Sequence, residues 1–72
     1  MNAKLLRSVM LLHGDTVAAL AEFLGISATS LSNKINERGT EFKQGEIAKI
    51  KEKYNLDHDM IDQIFFAKEV SF

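Results

Sequence analysis

Apolar residues recur along the chain in short helical stripes, separated by single glycines or polar clusters. Leu5, Leu6, Val9 and Leu12 make the first stripe. They predict a helix over about residues 3–13 with those four side chains turned inward. Gly14 follows as its C-cap. Val17, Leu20, Ala21 and Leu24 repeat at i, i+3, i+4 and i+7, and Asp15 or Thr16 caps the helix they define. Leu31 and Ile35, one turn apart, mark a third helix over about residues 28–37. Arg38, Gly39 and Thr40 read as a loop. Glu46, Ile47, Ile50, Lys51 and Tyr54 mark a fourth helix over about 43–53. Asp57 then caps a fifth, which carries Met60, Ile61, Ile64 and Phe65. In residues 67–72, Val70 and Phe72 alternate, as in an extended segment. The pattern predicts one compact all-α domain of five helices spanning residues 1–72.

The join between the second and third helices is the most specific feature. Only Gly25, Ile26 and Ser27 separate Leu24 from Ala28. A helix that stops abruptly needs a left-handed residue just past its end, and glycine adopts that conformation without a Cβ clash. Ile26 can tuck under the corner. Ser27 offers a hydroxyl to cap the next helix. Ala21 supplies a small side chain where the two helices approach. Two helices joined by a short glycine turn form a helix-turn-helix unit.

This segment resembles the helix-turn-helix of the lambda-repressor-like family, which includes phage Cro and repressor proteins and small bacterial regulators. The matching positions are Thr16, Leu20-Ala21, Leu24-Gly25, Ile26-Ser27 and Leu31-Ser32. The order and length of the flanking helices extend the likeness over most of the chain. Val17 departs from the pattern, because family members often place a phosphate-touching glutamine there. The resemblance implies sequence-specific binding to duplex DNA by a small phage- or prophage-type transcriptional regulator. It would act as a repressor by occluding its operator. It also implies a homodimer, and the late apolar residues Phe66, Val70 and Phe72 make the C-terminal helix and tail the expected interface.

Periodicity assigns residues to that role. Leu31 and Ile35 point to the core; at ~100° per residue, Thr29, Asn33 and Asn36 point the opposite way. Ala28 and Ser32 lie along one edge of this outer face. Short, uncharged side chains let a helix settle into the major groove. Asn33 has the chemistry for a bidentate contact with adenine, and the Ala28 and Thr29 methyls suit thymine methyls. The expected base contacts are therefore Ala28, Thr29, Ser32, Asn33 and Asn36. The expected phosphate contacts are Lys34, Arg38 and Lys43, with Thr16 at the start of the second helix.

Composition adjusts this picture. The chain has 72 residues, a net charge of −1 and no cysteine. Residues 1–56 hold eight Lys/Arg against six Asp/Glu, so +2, and residues 57–72 hold Lys68 against Asp57, Asp59, Asp62 and Glu69, so −3. A modestly basic body with an acidic end suits DNA binding through one face. The charge and Val17 also fit a second class, a helix-turn-helix-fold interaction module such as an antirepressor or phage assembly factor. No apolar run approaches the ~18 residues of a membrane span, and Val9–Leu12 is too short for a signal segment. These features predict a cytoplasmic protein in a bacterial or phage-infected cell.

No nucleophile motif or glycine-rich phosphate loop appears, so neither an enzyme nor a cofactor is expected. His13 reads as a helix-end residue. Asp57, His58 and Asp59 do not share one helix face, and capping explains the acids better than metal binding. Lys49, Lys51 and Lys53 read as surface charge. Met10, Leu11, Phe23, Phe66 and Phe72 exceed what a five-helix core needs; they either complete that core or mark a partner surface.

Overall fold

A computed structural model describes residues 1–66, and all secondary structure among them is helical. Helix α1 spans Ala3–Leu12, α2 Val17–Leu24, α3 Ala28–Ile35 and α4 Gln44–Lys53. Helix α5, His58–Ile61, runs directly into a π-helical segment, Asp62–Phe66. Val70, Phe72 and the rest of the expected extended tail lie outside the described residues.

Polar side chains cap the starts of α1, α2, α3 and α5. Asn2 accepts from the Leu5 N–H at 3.0 Å, Thr16 from Ala19 at 3.1 Å, Ser27 from Ser30 at 3.0 Å and Asp57 from Met60 at 2.8 Å. Thr16, not Asp15, therefore caps α2. Each bond satisfies a first-turn donor that has no intrahelical acceptor.

Helices α1 to α4 all end in the same device. A residue with positive φ follows the last turn: Gly14 at 68°, Gly25 at 74°, Glu37 at 55° and Asn55 at 52°. The next N–H reaches back to a carbonyl five residues earlier, as from Asp15 to Met10 at 2.8 Å and from Ile26 to Ala21 at 3.0 Å. Arg38 to Asn33 and Leu56 to Lys51 repeat the pattern, both at 2.9 Å. These are Schellman closures. At α1 the cap itself is His13, and Gly14 is the left-handed residue beyond it. Helix α3 stops at Ile35, two residues short of the expected end, because Glu37 has already turned left-handed.

Every helix contributes to one core. Leu6, Leu20, Leu31, Ile35, Ile50 and Ile64 are almost completely shielded, with Val9, Met10, Ala21, Leu24, Tyr54 and Ile61 buried around them. Burying each large aliphatic side chain stabilises by about 1.5–3 kcal/mol. One expected core position fails: Leu12 is 85% exposed. Met10 completes the inward stripe with Leu6 and Val9, and Leu12 sits ~200° round the helix from Met10. Leu5 is half-buried at the edge. The Asn2 N–H donates to the Ile64 carbonyl at 2.6 Å and ties the start of α1 to the π-helical segment. No helix among the described residues is long and apolar enough to cross a membrane.

Candidate nucleic-acid interface

Gly25 sets the placement of α3. Its left-handed backbone turns the chain within three residues, so α3 starts at Ala28 and packs against α2. A Cβ built at Gly25 would meet nothing within 4 Å. Glycine is favoured there by backbone conformation alone, not by crowding.

The inward side of α3 consists of Leu31, Lys34 and Ile35. The remaining positions form a polar, uncharged outer face. Ala28, Thr29 and Asn36 are exposed, and Ser32 and Asn33 are half-buried. All five expected base-contact residues thus share one continuous helix surface. Asn36 is already engaged: its Oδ1 accepts from the Arg7 guanidinium at 3.1 Å, and its Nδ2 donates to the Ser32 hydroxyl at 3.4 Å.

Three expected phosphate contacts, Thr16, Arg38 and Lys43, are exposed. Thr16 keeps its hydroxyl proton available while its oxygen caps Ala19. Beside it, the Val17 and Ala18 N–H groups, in the first turn of α2, have no intrahelical acceptor.

Lys34 must be removed from that set. It is only 7% exposed, and its ammonium lies 2.9 Å from Glu46 Oε1 on α4. It also donates to the Glu41 carbonyl at 3.2 Å. Helical spacing puts Lys34 beside the core stripe, ~60° from Leu31 on the side away from Ile35, and the Glu46 carboxylate and Glu41 carbonyl draw its ammonium inward. Its function is to brace α3 against α4 and pin the intervening loop. Burial pushes the Glu46 carboxyl up. The Lys43 backbone N–H, at 2.8 Å, and the Lys34 ammonium outweigh that push and hold it below the usual carboxylate value.

Arg7 is the residue that sequence reasoning missed. It sits on the exposed side of α1, and nothing local connects it to Asn36, 29 residues away. A second cluster joins the α1–α2 connection to the end of α4. The Tyr54 hydroxyl donates to Asp15 Oδ2 at 2.6 Å, and the Lys53 ammonium lies 3.6 Å from the same oxygen. Burial first, and the Asp15 hydrogen bond and charge second, push the Tyr54 phenol well above its ordinary value. His13 packs on the Tyr54 ring at 4.8 Å, and Lys53 lies 4.6 Å from the centre of the Phe23 ring. Lys53 is thus engaged with two partners, not loose surface charge.

The surplus apolar residues divide. Met10 joins the core, while Leu11, Phe23 and Phe66 stay exposed; Phe72 lies outside the described residues. Phe66 borders an open groove of about 270 Å³ with Phe42, Ile47 and Phe65, on the inner side of α3. Among the described residues, no group of three or more His, Cys, Asp or Glu side chains is arranged to hold a metal ion. The chain matches no family model, no curated protein and no solved structure.

Proposed function

We propose that this protein binds duplex DNA sequence-specifically through α3, as a small transcriptional regulator that represses by occluding its operator. One observation carries the reading. Helix α3 follows a three-residue glycine turn and turns a short, polar, uncharged face outward. Such a face admits a helix into the major groove, where Asn33 would read adenine and the Ala28 and Thr29 methyls would meet thymine. Thr16, Arg38 and Lys43 would hold the flanking phosphates. The unit resembles that of lambda-repressor-like regulators. As in such regulators, two copies on a palindrome would supply the sequence information that one helix lacks.

Selection from a random duplex pool, followed by a salt titration on the winning sequence, tests the reading. Enrichment of one site and a steep loss of affinity with salt are expected. Absence of duplex binding at low salt overturns it. A second reading, a helix-turn-helix-fold module that binds a protein instead, is favoured by two features. These are the exposed Leu11, Leu12 and Phe23 and the withdrawal of Lys34 from the surface. That second reading gains from the same negative result.

A further inference from the structure

We infer that Arg7, reaching over from α1, is a phosphate-binding residue of the α3 face, and that Asn36 positions it instead of reading a base. This inference rests on the DNA-binding reading above and revises one of its residues.

Asn36 shares the outward side of α3 with Thr29 and Asn33, since 100° steps bring all three to within roughly 60° of one another. A bidentate adenine contact needs both the oxygen and the nitrogen of an asparagine amide. In Asn36 the oxygen accepts from Arg7 at 3.1 Å and the nitrogen donates to Ser32 at 3.4 Å, so its orientation is set within the protein. Asn36 is also the C-cap of α3. Base edges are read chiefly by the N-terminal residues of a recognition helix; its far end emerges towards the sugar-phosphate backbone. Asn33, one turn closer to the start, keeps the reading role.

Arg7 has what that far end requires. It is exposed. Among the described residues no carboxylate pairs with it. A guanidinium carries five N–H donors in a planar fork, and Asn36 occupies one of them. The others suit two phosphate oxygens, a geometry that a lysine ammonium cannot match. The cation that helical spacing assigned to Lys34 is thus supplied from a different helix.

The test is a salt series of binding to the selected duplex by the full chain and by Arg7→Gln, Arg7→Lys and Asn36→Ala, each first checked by thermal melting. Arg7→Gln should reduce the slope of log K against log salt by about 0.9, the share of one phosphate. Arg7→Lys should keep the slope while losing affinity about threefold to tenfold. Asn36→Ala should leave the base preference unchanged at every position. Equal losses in Arg7→Gln and Arg7→Lys with the wild-type slope would mean a structural clamp and overturn the inference alone. So would a relaxed preference at one base pair in Asn36→Ala. Should Arg7→Gln fail to fold, Arg7→Lys decides, and unchanged affinity there is also fatal. A wild-type chain that binds no duplex at low salt removes the DNA-binding reading itself, and the inference with it.

Discussion

Replacing Lys34 with methionine separates its two possible duties. The variant keeps the apolar stem and removes the ammonium. Glu46 would keep its 2.8 Å bond from the Lys43 N–H, but lose the 2.9 Å pair with Lys34. The Glu41 carbonyl would lose its donor at 3.2 Å. Breaking a fully buried pair costs about 3–5 kcal/mol. Here the surviving Lys43 bond, and the position of Glu46 in the first turn of α4, reduce that to about 1–3 kcal/mol. A domain of this length holds only about 4–10 kcal/mol, so Tm should fall by about 5–20 °C. Urea or thermal denaturation, in a double-mutant cycle with Glu46→Gln, measures the coupling. The pH dependence provides a second readout. Because the folded Glu46 carboxyl sits below its ordinary value of 4.5, its stabilisation is present above that pH and lost as pH falls through the folded value. Lys34→Met should shrink this acid-side loss. In duplex binding, the folded variant should keep the wild-type salt slope. A variant as stable as the wild type, or a slope reduced by one phosphate's share, would refute the brace.

Three further outcomes follow from the geometry. Gly25→Val should destabilise by about 1–3 kcal/mol through backbone strain at φ 74°, since the site has room for a Cβ; unchanged melting would count against the turn. Asn33→Ala should reduce discrimination at one base pair of the selected site by about 1–3 kcal/mol while leaving the salt slope intact; a uniform loss across sequences would contradict its role as reader. Tyr54→Phe should cost about 1–3 kcal/mol by removing the bond to the Asp15 carboxylate. The phenol's share of stability is intact below its ordinary value of 10.0 and lost as pH rises beyond it, so the variant should show a flatter alkaline limb in a melting series; an identical limb would rule out the assigned linkage.

How far the fold could be read from the residues depended on how locally each feature is encoded. The caps Ser27 and Asp57, and the closures at Gly14 and Gly25, are each written within about six residues and could be read there, while the cap of α2 could be narrowed only to Asp15 or Thr16. Glu37 carries no such signal. A glutamate in the left-handed region is uncommon, so α3 ends sooner than its composition suggests. Leu12 shows the limit of apolar identity: the buried arc of α1 runs through Leu6, Val9 and Met10, and Leu11 and Leu12 fall outside it. The outer face of α3 followed from period alone. Lys34 and Arg7 did not, because their roles depend on Glu46 and Asn36, which lie on other helices. Charge told which residues were cations but not which of them the fold would consume internally.

The four left-handed closures bear on how this chain reaches its structure as well as on the structure itself. Three of the stops, at Gly14, Gly25 and Asn55, close within six consecutive residues on residue types that tolerate the left-handed region; the fourth, at Glu37, has a distant partner as well, the Met1 ammonium 2.6 Å from its carboxylate. Helices of 8–10 residues still need the core to persist, but with most of their ends specified locally the chain should fold as small helical proteins do, in microseconds to milliseconds. What is left for the late stage is the meeting of the two ends, where the Asn2 N–H finds the Ile64 carbonyl. The amide at Asn2 should be among the first to exchange with solvent deuterons, while those inside the α2–α3 corner hold out until the whole domain opens.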